Sequence, residues 1–286
     1  MALFKIYLFL YFFGFLIPQK TTHPVLENIS FPVTIAHQGG NKEYPDQSML
    51  AFENSVSLGI QILELDIHRT VDSVLVIHHD ASIHRLTNKT GMIKEMTWDE
   101  LQDADGAYNW TINGEDYPYR GKGVHIISLA QLIEKYPDKV YDIEIKQIDP
   151  PIESDLCNML RKYDLATDQV IVASFYDDII NRFHDVCPEV AISLSVNKGT
   201  KLYILSRVGL ERLLPINSVI AQLPLQFSSP FGELSLDKRY INAFSKGDRQ
   251  VWVWTVDDSS KMKEVLDMGV HGILTDRPDV LMSITQ

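Results

Sequence analysis

The sequence predicts a (β/α)8 TIM barrel, and three observations predict it. Short β-rich apolar runs alternate with helical patterns along nearly the whole chain, which argues for a parallel sheet. The chain has 286 residues, 45% of them apolar, enough for a barrel of roughly 250 residues. Acids and histidines collect at the ends of several strand candidates, where barrels carry their chemistry. An open doubly wound sheet is the alternative, but no G-x-G-x-x-G follows the first strand.

The chain opens on "MALFKIYLFLYFFGFLIPQK", in which Lys5 is the only charge between Ala2 and Ile17. That run is short for a full span, which takes roughly 20 residues. It suits a signal-peptide core or a short anchor. Residues 1–18 are therefore read as a hydrophobic signal or anchor, 19–31 as a polar linker and 32–286 as the barrel domain. The expectation is an exported protein, secreted or held at a membrane through residues 2–17. A buried helix of the fold is the competing reading.

Within the domain, "VTIAH" (33–37) reads as the first strand, and "SMLAFENSVSLG" (48–59) has helical spacing with a Gly stop. "ILELDI" is the next strand and "VLVIHH" (74–79) another, with no room for a helix between them. "TWDELQDA" (97–104) starts with a capping box, Thr97 and Glu100. Residues 106–123 read as a long surface loop. From there helices (129–137, 153–163, 177–187, 201–214, 237–248, 259–270) alternate with strands (140–147, 170–175, 190–196, 218–223, 250–256, 271–275). These make nine strand candidates for eight places, so one is an extra strand or the 61–80 pair is irregular.

The net charge of −12 argues against nucleic acid as a partner. It is compatible with one phosphate held by a metal ion. Cys157 and Cys187 each lie in a helical run and are read as core thiols, although in an exported protein they could pair. Asn28, Asn88 and Asn109 begin N-x-[ST] triplets, which matter only in a eukaryotic secretory pathway.

The stretch "QILELDIHRT" (61–70) carries the chemistry. A strand puts alternate side chains on opposite faces, so Leu63, Leu65 and Ile67 share one face and Glu64, Asp66 and His68 the other. "DIEIK" repeats the device with Asp142, Glu144 and Lys146. "TIAHQGG" ends in His37 and "VLVIHHD" in His78, His79 and Asp80. Buried carboxylates are costly unless neutralised. Glu64, Asp66 and Glu144, with no cysteine among them, point to a hard divalent cation, Mg2+ or Ca2+. Structural ion pairs are the plainer reading of any one of them. Histidines beside such an ion can serve as general acid and base. His78 is read as a capped core or outward histidine, His84 and His125 as surface residues, and His68 as past the apolar run.

From about residue 33 to 281 the ordered motifs resemble the glycerophosphodiester phosphodiesterase family. They are "HQGG", "PDQS", "ELDIHRTVDSVLVIHHD", "RLTNKTG", "IEIK", "SF", "WTV" and "GILTDRP". The resemblance implies His37 and His79 as an acid–base pair. It implies Glu64, Asp66 and Glu144 as ligands of one divalent ion, Lys146 as a phosphate contact and Trp254 as a pocket wall. It also implies that a hydroxyl next to the phosphodiester attacks phosphorus, giving a cyclic phosphate that water opens. Two stretches depart from the family. Gln38 stands where the family has a phosphate-gripping Arg, and Asp46-Gln47-Ser48 replaces E-N-T. Arg69 or Arg120 could supply the missing charge.

The expected substrate is a small glycerophosphodiester. A lysolipid cleaved by the same chemistry is the rival, with loop 106–123 (Trp110, Tyr117, Tyr119) as an acyl groove. A barrel that only binds phosphodiesters is the third reading, and a phosphatidylinositol-type phospholipase C the fourth.

Overall fold

The computed structural model describes residues 22–229 and 232–286. The apolar run 2–17 lies outside these residues. Among the described residues, no helix is long and apolar enough to cross a membrane.

Eight parallel strands form a nearly closed barrel. They are β1 (Val33–Ala36), β2 (Ile62–Arg69), β4 (Val140–Ile145), β5 (Val170–Ala173), β6 (Ala191–Ile192), β7 (Ile220–Pro224), β10 (Gln250–Trp254) and β11 (Gly272–Thr275). Their order around the wall is β6-β5-β4-β2-β1-β11-β10-β7. A single parallel bridge, Ser193 with Ile220, links β6 to β7 across the remaining seam. The surplus strand candidate is β3 (Leu75–Ile77), which folds back antiparallel on the end of β2. A β-hairpin that the pattern did not announce, β8 (Gln226–Ser229) with β9 (Gly232–Ser235), follows β7.

Around the wall lie α1 (Met49–Leu58), α2 (Trp98–Gln102), α3 (Leu129–Lys135), α4 (Glu153–Lys162), α5 (Asp177–Val186), α6 (Val196–Val208), α7 (Lys238–Phe244), α8 (Ser259–Met268) and α9 (Pro278–Thr285). The capping box of α2 is formed: Thr97 and Glu100 satisfy each other's backbone N–H groups. Two boundaries differ from expectation. β6 stops at Ile192 and α6 begins at Val196, earlier than the spacing suggested. α6 also stops at Val208, because Gly209 takes the left-handed conformation (φ 74°) that ends helices.

Strand alternation sorts the core into two layers. Leu63, Leu65 and Ile67 of β2 join Tyr141, Ile143 and Ile145 of β4 under the helices. Facing inward, Ile62, Val140, Ile171, Ile220 and Trp252 fill the barrel floor, with Val25 of the 24–28 turn against them. Glu64, Asp66, Asp142 and Glu144 occupy the next inward positions, toward the mouth.

The reading of Cys157 and Cys187 as free core thiols is corrected: they form a disulfide. Cys157 lies in α4, and Cys187 caps the end of α5. Consecutive outer helices of a barrel are neighbours, and this brings the two Cα atoms to 5.7 Å. Loop 106–123 is a surface loop, tied down by buried Trp110, whose indole N–H donates to Asn41 O at 3.3 Å.

Candidate active site

Parallel pairing of β2 with β4 sets Glu64 opposite Asp142 and Asp66 opposite Glu144. One donor oxygen from each of Glu64, Asp66 and Glu144 lies within 4.8 Å of the others. Lys146 Nζ is 3.1 Å from Asp66 Oδ1 and 2.8 Å from Glu144 Oε2. Its contact with Asp66 Oδ1 has ion-pair distance but not hydrogen-bond geometry, so that buried oxygen accepts no hydrogen bond.

Burial pushes the carboxyls of Glu64 and Glu144 up, and the charge of Asp66 pushes them further. Asp142, level with Glu64 on the neighbouring strand, is raised by burial to about 7, although Gln222 Nε2 donates to both its oxygens at 2.8 Å. Burial opposes the charge of Lys146, but Asp66 and Glu144 outweigh it and raise its pKa. The cluster thus holds more negative charge than its surroundings neutralise, and a hard cation among these oxygens would relieve it.

The loop after β1 shapes the rim. Gln38, Gly39 and Gly40 all have positive φ (52°, 76° and 97°). A Cβ at Gly40 would stand 2.7 Å from Pro278, so glycine is required there by both conformation and space. Gln38 is buried. Its backbone N–H donates to Glu64 Oε2 at 2.7 Å and its Nε2 to Asp66 Oδ2 at 3.1 Å. Gln47 Nε2 donates to the same Asp66 oxygen, while Gln47 Oε1 accepts from the Asp66 N–H at 3.1 Å. The Gln38 amide therefore grips a carboxylate of the cluster.

His37 and His79 both line a cleft of about 390 Å³ together with Glu64, Glu144, Lys146, Phe175 and Trp254. Each has its Nδ1 on a carboxylate: His37 at 2.6 Å from Asp276 Oδ1, His79 at 2.8 Å from Asp80 Oδ1. A carboxylate accepts, so each Nδ1 carries a proton and each Nε2 is left for the cleft. Burial works against the charge on His37, but Glu64, Asp276 and Asp66 outweigh it and raise its pKa to about 9. Trp254 stands edge-on to Phe175, ring centroids 5.6 Å apart.

A profile of the "Glycerophosphoryl diester phosphodiesterase family" matches residues 37–280. The chain belongs to this family. It is 27% identical over 259 residues to the glycerophosphodiester phosphodiesterase of Caldanaerobacter subterraneus, covering 89% of this chain and 98% of the relative. The fold is that of the glycerophosphoryl diester phosphodiesterase domain of a Mycobacterium tuberculosis protein. The TM-score is 0.78 and the identity 20%, over 90% of this chain and 100% of that one. It is also that of an Oleispira antarctica phosphodiesterase solved with the product sn-glycerol 3-phosphate. There the TM-score is 0.69 and the identity 18%, over 90% of this chain and 98% of that one. The chain is thus a phosphodiesterase of this family.

His37, Glu64, His79, Glu144, Lys146 and Trp254 of this phosphodiesterase meet at the cleft. Asp66 lies just beneath, and Gln38 behind it. His68 is buried elsewhere, with Nε2 3.3 Å from His79 O, and burial lowers its pKa to about 4. Neither proposed stand-in arginine lines the cleft. Arg69 pairs with Asp155, and Arg120 lies over the rings of Tyr108 and Tyr117. Nor do Trp110, Tyr117 and Tyr119 line it. Its apolar side comes from Leu194, Val196, Leu223, Pro224 and Phe227. From the sequence, Asp80 stands among the strand-end acids and Gln47 only as a departure from the family, neither with a stated partner, and Asp276 is not singled out. All three lie inside the quoted motifs "GILTDRP", "IHHD" and "PDQS", so the signal was present.

Proposed function

We propose that this phosphodiesterase hydrolyses glycerophosphodiesters to glycerol 3-phosphate and an alcohol. The observation that carries the reading is two histidine–carboxylate pairs facing one carboxylate cluster across a single cleft. Glu64, Asp66 and Glu144 would hold one Mg2+ or Ca2+. The fit is supported by the close spacing of their oxygens and by Asp66 Oδ1, which is buried and paired only with the Lys146 ammonium. When bound, such an ion polarises a phosphoryl oxygen.

Lys146 meets a phosphate oxygen from the cluster's edge, and Trp254 and Phe175 wall the cleft. The hydroxyl neighbouring the diester attacks phosphorus, the bond to the leaving alcohol breaks, and a cyclic phosphate forms. One histidine Nε2 takes the hydroxyl proton and the other gives a proton to the leaving alcohol. Water then opens the ring with these roles exchanged. Gln38 serves this scheme by holding Asp66 and Glu64 rather than by touching phosphate.

The test uses chelated protein offered glycerophosphocholine, with Mg2+ or Ca2+ restored, and a coupled assay for glycerol 3-phosphate. Product that requires the metal and disappears in Glu64→Ala and His79→Ala is expected. Metal-independent product, or none from folded wild type, would refute the scheme.

A second reading, an acyl-bearing lysolipid substrate, is favoured by the apolar side of the cleft. It predicts turnover of lysophosphatidylcholine that Phe227→Asp lowers about tenfold or more while sparing glycerophosphocholine. Equal loss on both substrates would count against it.

The proposed organisation keeps residues 1–18 as signal or anchor, 19–31 as linker and 32–286 as the catalytic domain. Export is supported by the Cys157–Cys187 disulfide, since such bonds persist in oxidising compartments. Fractionation of cells expressing the full chain tests it: a reduced, cytosolic protein would refute it.

A further inference from the structure

The two histidine–carboxylate pairs are anchored differently. Asp276 is fixed from the backbone, its N–H donating to Asp257 Oδ1 at 2.8 Å. Asp80 lies on the loop after β3 and is more exposed, 31% against 13% for the Asp276 side chain. Its Oδ1 faces His79, and its Oδ2 accepts from Arg85 Nε at 2.5 Å. Arg85 reaches on: its Nη2 donates to Asp46 Oδ2 at 2.9 Å. The Asp46 side chain is only 5% exposed. It sits beside Gln47, the residue that grips Asp66. His78 Nδ1 is 2.8 Å from Asp80 O; a carbonyl accepts, so this ring donates and pins the loop backbone.

Arg85 does not line the cleft, and an ion pair at a half-exposed arginine contributes little to stability. A planar guanidinium that bridges two carboxylates does something else: it fixes direction. A carboxylate held at one oxygen can rotate; held at both, it keeps Oδ1 aimed at the imidazole.

We propose that Arg85, anchored by Asp46, is a positioning residue for His79, acting through Asp80. The assignment rests on the reading of His79 as an acid–base group. It makes the 45–48 turn a common strut: Gln47 orients Asp66 of the cluster, and Asp46, through Arg85, orients His79. The charge alone does not suffice. A lysine at position 85 offers one point of contact where the fork offers two.

The test combines kinetics on glycerophosphocholine with imidazole NMR. Arg85→Met is expected to lower kcat about 10–100-fold with KM changed less than about twofold, as for loss of an orienting partner. Arg85→Lys, which keeps the charge beside both carboxylates, recovers only part of the loss, and Asp46→Asn shows a smaller loss of the same kind. Added to His79→Ala, Arg85→Met costs less than about twofold more. A loss of equal size with and without His79, or a raised KM with kcat unchanged, overturns the proposal. In 15N-histidine-labelled protein the Nδ1 proton of His79, assigned by its absence in His79→Ala, is expected in wild type. It is expected to be lost to exchange in Arg85→Met. Its persistence there overturns the proposal whatever the turnover. Full activity of His79→Ala with the NMR result as expected would instead remove the acid–base reading and leave the positioning relationship standing.

Discussion

His37 Nδ1 lies 2.6 Å from Asp276 Oδ1, and 239 positions of chain separate the two residues. The pairing of β1 with β11 closes that distance: Ala36 and Thr275, the residues just before them, are register partners. The first predicted strand thus delivers the histidine and the last delivers its carboxylate.

Asp276→Asn keeps the shape of this contact but lets the amide donate to the ring, which favours the wrong tautomer. The expected result is a kcat on glycerophosphocholine lower by about 10²-fold or more, with KM little changed. Unchanged kcat in a variant with wild-type Tm would show that the pair does not orient His37.

Without metal, His37 lies among the carboxylates of Glu64, Asp276 and Asp66, which outweigh burial and raise its pKa from 6.5 to about 9. A raised folded-state pKa stabilises the protein fully below pH 6.5 and loses that contribution as pH climbs through 9. Its size is at most about 3–4 kcal/mol. Melting curves of chelated protein across this window should therefore fall with pH more steeply for wild type than for His37→Gln. If Glu64 and Asp66 hold the ion as proposed, saturating Mg2+ or Ca2+ should neutralise them and flatten the difference. Identical slopes in the two proteins would contradict the charge environment described for His37.

Glu64 is a buried carboxyl pushed upward by desolvation and then by Asp66. Its charge is a cost to the metal-free fold. Glu64→Gln keeps an oxygen for the Gln38 N–H and removes that charge. The chelated variant should melt higher than wild type, by about 1–2 kcal/mol in stability. It should lose most of the stabilisation that the proposed metal would give wild type, about 2.7 kcal/mol at a hundred times Kd, and it should be inactive. Calorimetry with and without metal checks both halves; a variant less stable without metal would refute the first.

The Cys157–Cys187 bond closes a 30-residue separation, which in the chain-entropy picture stabilises by about 3–4 kcal/mol. Neither cysteine lines the cleft. Cys157→Ser with Cys187→Ser should lower Tm by several degrees and leave kcat within about twofold at a temperature where the variant is folded. A selective loss of kcat would link the bond to the site.

Much of this protein was written in local pattern. The twofold alternation in "ILELDI" and "DIEIK" determined which residues face the helices and which face the mouth, because the strand period admits no other sorting. The carboxylate cluster and both histidines followed from that sorting and from the motif order. Tertiary structure decided what local pattern cannot encode. Strand register put Asp66 beside Glu144, and barrel closure put Asp276 on His37. Packing of successive helices joined two cysteines that looked like separate core thiols. The "VLVIHH" run became an antiparallel return rather than a wall strand, because the short connection from β2 lets it turn back onto the same edge. Gln38 read as a weakened phosphate contact. Its left-handed backbone turns it toward Asp66 and Glu64, and direction of that kind belongs to the assembled loop, not to the residue type.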